Sequence, residues 1–359
     1  MPRTIPIQSL LDKSAGGGRL SVDEGTALLE SSELASLAKA ADSATRARHP
    51  EVFRTYNIDR NINYTNVCEC GCRFCAFSRP PGSPEGYVLR REDLYRKIEE
   101  TVSLGGNQIL LQGGLNPDLD LVWYERLLFG IRERFPKVNI HGFGPAEIHY
   151  FSWKAGLPVR EVLERLRDAG LGSIPGGGAE ILVDRVRALV SPKKATSDEW
   201  LQVCRVWHSM GGRGTATMMF GHLESRRERV LHLERIRSLQ DETAGFTAFI
   251  AWTFQPGGTA LAGKVRKVGV FEYLKTLAVA RLFLDNFPNL QASWVTQGLK
   301  VGQMALRFGA NDLGSLMIEE NVVAATGVRF HVREEAMRAA IRGVGYEPRR
   351  RNVFYELVD

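Results

Sequence analysis

Cys68, Cys70, Cys72 and Cys75 crowd four thiols into eight residues, and the fifth cysteine, Cys204, stands far from them. Bridges between such near neighbours close almost no loop, so the cluster reads as a metal or redox site rather than a disulfide framework. Two constructions use these thiolates. In one, all four close a structural zinc site or an electron-transfer cluster. In the other, Cys68, Cys72 and Cys75, with Phe74 just before the last, hold a [4Fe-4S] cluster and leave one iron without a protein ligand. The second is favoured, with Cys70 a non-ligand. Alternate cysteines at 68, 70 and 72 strain a single tetrahedral site, and a closed site leaves the glycine-rich and acidic loops elsewhere in the chain without a role. Cys204 falls at helical spacing with Trp200 and Trp207 after the capping pattern Thr196-x-x-Glu199, which makes it a core position.

Those other loops carry groups a bound cofactor needs. Gly113-Gly114 and Gly176-Gly177-Gly178 allow close backbone approach, and consecutive amides can meet a carboxylate or a ribose; tight turns are the structural alternative. Glu180 either accepts hydrogen bonds from a ligand or serves as a helix N-terminal acid. Glu147, His222, Glu224 and Asp312 are candidates for a general base, since a carboxylate or a neutral imidazole can take a proton. For any single one of them a structural hydrogen-bond role is the favoured alternative.

The elements that must position these residues repeat. Short apolar strands are expected at 107–112, 138–143, 172–174, 216–220, 246–250 and 290–295, before Cys68, and more weakly near Ala310. Helices are expected at 159–169, 198–210 and 271–287, and Leu121, Tyr124, Leu128, Ile131 and Phe135 mark one face of another. About eight strand–helix units indicate an α/β fold, a TIM-type (βα)8 barrel over residues 51–359, preceded by an N-terminal helical cap over 1–50 with a capping box at Ser21-x-x-Glu24. In such barrels chemistry sits in the loops after the strands, where the unusual residues fall. With 44% hydrophobic and 25% charged residues the composition is that of a globular protein. No apolar run approaches the roughly 20 residues a membrane helix needs, and the first twenty residues lack a secretory pattern, so a cytoplasmic location is expected. The net charge of +6 is dispersed apart from Arg226, Arg227 and Arg229 and the run Arg349 to Arg351. Both read as solvated faces, and no nucleic acid or membrane partner is expected.

Taken together these residues resemble the radical S-adenosylmethionine (SAM) enzymes of the futalosine route to menaquinone, most closely the dehypoxanthine futalosine cyclases among them. The resemblance runs from about Asn57 to Val323. It rests on Arg60-Asn-Ile-Asn-Tyr-Thr-Asn-Val-Cys68, Cys72-Arg-Phe-Cys-Ala-Phe77, Ser173-Ile-Pro-Gly-Gly-Gly-Ala-Glu-Ile-Leu182, Ser191-Pro-Lys-Lys-Ala195, Thr217-Met-Met-Phe-Gly-His222, Trp252-Thr-Phe-Gln-Pro256 and Gly309-Ala-Asn-Asp312. It implies that SAM binds the open iron and yields a 5'-deoxyadenosyl radical. That radical removes the ribose C4' hydrogen of dehypoxanthine futalosine, and the carbon radical adds to the benzoate ring of the same molecule. It further implies Phe74, Gly113, Gly114 and Glu180 as SAM contacts, Trp294 as a substrate contact, and a reducing partner such as flavodoxin or ferredoxin. Leu115 follows the glycine pair where many such enzymes carry an acid that meets the SAM amino group, so that partner is not supplied in the usual place. The neighbouring activities, aminofutalosine synthase and the deazaflavin-forming synthases, share cluster and barrel, and a non-catalytic four-cysteine metal protein is the alternative of another class.

Overall fold

The computed structural model describes residues 6–358. Period-two alternation governs its strands, with the polar side turned inward. Asn57, Asp59 and Asn61 line a central lumen, whereas Tyr56, Ile58 and Ile62 between them belong to the hydrophobic core. Gln108, Leu110 and Gln112 alternate in the same way with Ile109 and Leu111, and Thr215 and Thr217 with Ala216 and Met218. Successive strand residues point to opposite faces. One sequence pattern therefore builds both a packed outer shell and a polar interior.

The strands are β1 (Phe53–Asn57), β2 (Asn61–Asn63), β3 (Gln108–Gln112), β4 (Asn139–Gly142), β5 (Gly214–Phe220), β6 (Phe246–Thr253), β7 (Asn289–Gln291), β8 (Asp312–Ser315) and β9 (Glu347–Arg350). Their ladders are parallel, in the orders β2-β3-β4 and β5-β6-β7-β8-β1-β9. Two links join these sheets into a ring. The continuous segment 53–63 bonds to 312–319 on one side, through Leu316 N to Asn57 O and Asn61 N to Glu319 O, and to β3 on the other, through Leu110 N to Arg60 O. Opposite, Ser173 bridges to His141 and Ile174 to Gly214. The expected strand at 172–174 is thus reduced to single bridges, and 290–295 is divided: β7 ends at Gln291, and Trp294–Gln297 is a short helix. The other expected strands and helices stand at their places with shifted ends.

Helices 121–134, 145–155, 159–169, 197–209, 226–243 and 270–283 connect the strands. Ahead of the barrel lie three helices, Ile7–Ala15, Val22–Glu30 and Leu34–Arg48, the second opened by the Ser21/Glu24 capping box. They pack on helices 226–243 and 270–283. Thr45 and His49 bond the carbonyls of Gly309 and Pro288, in the loops that lead into β8 and β7. This extension therefore covers a flank of the barrel and its N-terminal end. Arg226 and Arg227 pair with Glu272 and Asp23, whereas Arg229, against the solvated reading, is buried on Glu224 and Glu272. Arg351 departs from that reading. It is buried, with Nε and Nη2 on the two oxygens of Asp312 at 2.6 and 2.8 Å. Among the described residues no helix is long and apolar enough to cross a membrane.

Candidate functional site

The cysteine loop leaves β2 at the mouth of the barrel and is pinned by backbone bonds. Cys68 N donates to Arg79 O at 2.8 Å, Glu69 N to Leu115 O at 3.1 Å, and Arg73 N to Val190 O at 2.8 Å. Gly71, between Cys70 and Cys72, has φ +61°, a turn an L side chain rarely adopts. The Gly113-Gly114 loop presses against it. A Cβ on Gly114 would lie 2.1 Å from the Val67 carbonyl oxygen, and one on Gly113 2.4 Å from the Tyr64 ring. Only glycine allows these two loops to nest.

Cys68, Cys70, Cys72 and Cys75 line one cavity of about 200 Å³, together with Phe74, Gly113, Gly114, Glu147, Glu180 and Lys194. Cys70 is the most buried of the four. Its hydrogen bonds to Cys68 and Cys72 push its own thiol far up, and the same bonds pull Cys68 down to about 6 and lower Cys72. Cys70 thus holds its proton more tightly than Cys68 or Cys72 does, which is compatible with a non-ligand. Beside them Lys194 Nζ stands 3.1 Å from Glu180 Oε1 and 5.4 Å from the centre of the Phe74 ring. Burial disfavours that ammonium, but Glu180 and the thiolates outweigh it and hold its pKa above the ordinary value. Among the described residues no three His, Cys, Asp or Glu side chains are drawn together as a single-ion site. The donor set instead suits a larger thiolate-held cluster: several cysteine sulfurs on one loop facing a cavity. Glu180 supplies the second element of the fit. It sits at φ +40°, and its Oε2 is buried without a hydrogen-bond partner, with Arg187 Nη1 3.6 Å away. A buried, free carboxylate oxygen beside an iron–sulfur loop is an acceptor for an ammonium or a ribose hydroxyl.

The base candidates are placed differently from the expectation. His222 lies outside both cavities: Nε2 bonds Met219 O at 3.1 Å, Nδ1 accepts from Leu223 N at 2.7 Å, and burial lowers its pKa. Glu224 is spent on Gly221 N, His222 N and Arg229. Asp312 is taken by Arg351, by Thr55 Oγ1 at 2.6 Å and by Gly314 N at 2.8 Å. Glu147 faces the cysteine cavity, yet both of its oxygens are engaged. Oε1 accepts from Tyr64 Oη at 2.7 Å and Gly113 N at 3.1 Å, and Oε2 from Gly144 N at 2.8 Å. Each of these side chains is thus engaged in hydrogen bonds in this structure, in keeping with the structural alternative for it. Trp294 lines the lumen, its Nε1 donating to Ser315 O at 2.8 Å.

The lumen itself, about 260 Å³, holds groups that the motif reading passed over: Asp59, His141 and Glu320. Burial raises the carboxyls of Asp59 and Glu320 and holds the His141 imidazole down at about 3, hence neutral. His141 Nδ1 meets Ser173 Oγ at 2.7 Å. The alternation Asn57-x-Asp59-x-Asn61 was the available signal, masked by the habit of expecting apolar residues inside strands. Gln112, Gly177, Gly178, Glu180, Trp252 and Val322 line both cavities and so form a common wall between the cysteine loop and the lumen.

Residues 62–236 match the radical SAM superfamily, and residues 243–359 match the CofH/MqnC C-terminal region. A cyclic dehypoxanthine futalosine synthase from Halalkalibacterium halodurans is 47% identical, over 99% of this chain and 95% of that protein. Another from Streptomyces coelicolor is 40% identical, over 99% of this chain and 90% of that one. Among solved structures, methylornithine synthase superposes with a TM-score of 0.71 at 20% identity, covering 94% of this chain and 97% of that chain, which concerns the fold alone.

Proposed function

The chain belongs to the radical SAM family, and on that premise we propose that it closes dehypoxanthine futalosine into cyclic dehypoxanthine futalosine, a step of menaquinone biosynthesis. The observation that carries this reading is the common wall. A cofactor cavity and a substrate-sized lumen meet along Gln112, Gly177, Gly178, Glu180, Trp252 and Val322, so molecules bound in the two would adjoin there. When bound, the cluster and SAM supply a 5'-deoxyadenosyl radical able to remove an unactivated hydrogen. The substrate would then lose its C4' hydrogen to that radical, join C4' to its own benzoate ring, and give up a proton and an electron to restore aromaticity, the electron released matching the one that cleavage of SAM consumes.

The protein's part is placement and exclusion. Cys68, Cys72 and Cys75 hold the cluster, with Cys70 donating a hydrogen bond. Glu180 Oε2 receives the SAM ammonium or a ribose hydroxyl, while Lys194 fixes Oε1 and Arg187 braces the 178–179 carbonyls at 3.2 and 2.6 Å. This supplies the acidic contact that Leu115 does not. Gly113 and Gly114 offer backbone, Phe74 an aromatic face, and Trp294 a wall for the substrate. The departing proton enters a lumen whose titratable wall groups include Asp59, His141 and Glu320. A low-potential flavodoxin or ferredoxin is the reducing partner we assign, in a cytoplasmic setting.

Anaerobic incubation of reduced, cluster-loaded protein with SAM and purified dehypoxanthine futalosine tests this. Cyclised product, with methionine and 5'-deoxyadenosine, is expected. 5'-Deoxyadenosine without cyclised product would reject the cyclase and move the assignment to aminofutalosine synthase or deazaflavin-forming chemistry, whose substrates serve as parallel arms.

A further inference from the structure

Below the common wall the lumen ends in polar side chains that lack partners. Asn57 Nδ2, Gln108 Oε1 and the Tyr355 hydroxyl are each buried without a hydrogen bond, and all three residues line the lumen. Asn57 and Gln108 are 2% and 5% exposed. Three polar atoms without a protein partner thus gather round one cavity, where a ligand's polar groups would satisfy them. Tyr355 reinforces this. It stands at φ +66°, stacked 4.1 Å over Arg351, a strained posture that keeps its hydroxyl buried at the floor.

The chemistry of the floor selects the ligand end. It mixes donors, the Asn57 amide and the Tyr355 hydroxyl, with acceptors, the Gln108 carbonyl and Asp59. Hydroxyl groups both donate and accept and match such a set. A carboxylate only accepts. It would face Asp59 without a free cation, because Arg351, which also lines the lumen, is already forked onto Asp312 at 2.6 and 2.8 Å. Asp59 itself is oriented by Ser315 Oγ and by Gln108 Nε2 at 2.8 Å, which leaves the other end of the Gln108 amide for the ligand. Gln108 lies four residues below Gln112 on β3, a depth of roughly 11 Å at about 3.3 Å per residue and a tilt of about 36°.

We propose that Asn57, Asp59, Gln108 and Tyr355 form a sugar-hydroxyl subsite, so that the substrate enters ribose first and keeps its aryl carboxylate toward the mouth, beside Trp252 and Trp294. This rests on the cyclase reading, since it is that substrate's ribose that carries C4'. With C4' in the sugar ring, anchoring the hydroxyls at the floor sets the height of the reacting carbon beneath the wall.

Asn57→Leu and Tyr355→Phe test it, because each removes an atom with no protein partner and keeps the shape. Equilibrium dialysis of the cluster-loaded protein with SAM would measure affinity for dehypoxanthine futalosine and for its 2',3'-dideoxy analogue. Each variant should bind the natural ligand about tenfold more weakly and the analogue as wild type does, with ligand-free melting temperature unchanged or raised. Wild-type affinity for the natural ligand in both variants, or an equal loss for both ligands, would overturn the subsite. If the wild-type protein fails to bind dehypoxanthine futalosine at all, the cyclase reading falls, and the subsite with it.

Discussion

Replacing Glu147 by Gln sets three hydrogen-bond donors against burial. Tyr64 Oη, Gly113 N and Gly144 N all favour the ionised carboxylate, whereas burial favours the neutral acid and wins, pushing the pKa from 4.5 up to about 7. A raised carboxyl pKa means that the folded chain holds this proton more tightly than the unfolded chain. The resulting stability is complete below pH 4.5 and is lost as pH rises through 7. Between pH 5.5 and 8 roughly 1.5 pH units of that window are crossed, at about 1.36 kcal/mol each, so wild type loses about 2 kcal/mol. Glutamine mimics the protonated acid and carries no such proton. Urea unfolding of both proteins under identical loading should show Glu147→Gln gaining about 2 kcal/mol on wild type between pH 5.5 and 8. Function should move the other way. A carboxamide leaves one backbone N–H facing a donor, worth about 1–3 kcal/mol, and that loosens the Gly113 loop. SAM affinity should then fall roughly 5- to 150-fold, while each 5'-deoxyadenosine formed still accompanies product. Parallel pH curves for the two proteins would refute the burial argument. 5'-Deoxyadenosine formed without product would restore Glu147 as the base.

Cys70→Ser should retain near-normal iron and sulfide and a SAM-induced change in the cluster spectrum, while Cys68→Ala loses the cluster; loss in Cys70→Ser would mean a four-ligand site. Gly114→Ala must displace the Val67 carbonyl, 2.1 Å from the new Cβ, so iron loading should fall severely, and a normal iron content would contradict the nesting of the two loops. Asp312→Asn breaks a buried, forked ion pair and should cost about 3–5 kcal/mol by chemical unfolding; unchanged stability with abolished turnover would revive it as a proton acceptor.

The cysteine spacing, the alternation of strands and helices and the capping boxes at Ser21 and Thr196 are local patterns, and local patterns survive in sequence. What escaped reading is relational. That Arg351 reaches Asp312, and that Glu147 reaches Tyr64 and Gly113, depends on pairings between distant segments that no spacing encodes. Trp294 shows the limit within a single element: β7 and the residues after it read as one apolar strand, but the chain turns into a short helix after Ser293, with Trp294 Nε1 tied to Ser315 O. The polar lumen escaped for another reason. Its alternation has the period of any strand, and only the closure of the ring decides which face becomes the inside.

The ring of strands, joined by a single register pair between β7 and β8, is thin also at Ser173 and Ile174, where single bridges replace a ladder. Side chains reinforce it: Asn139 Nδ2 donates to Ser173 Oγ at 2.9 Å, and the same oxygen meets His141 Nδ1 at 2.7 Å. This thinly laddered stretch runs straight into Gly176 to Gly178, so the same few residues that close the ring also begin the partition between the lumen and the cysteine loop.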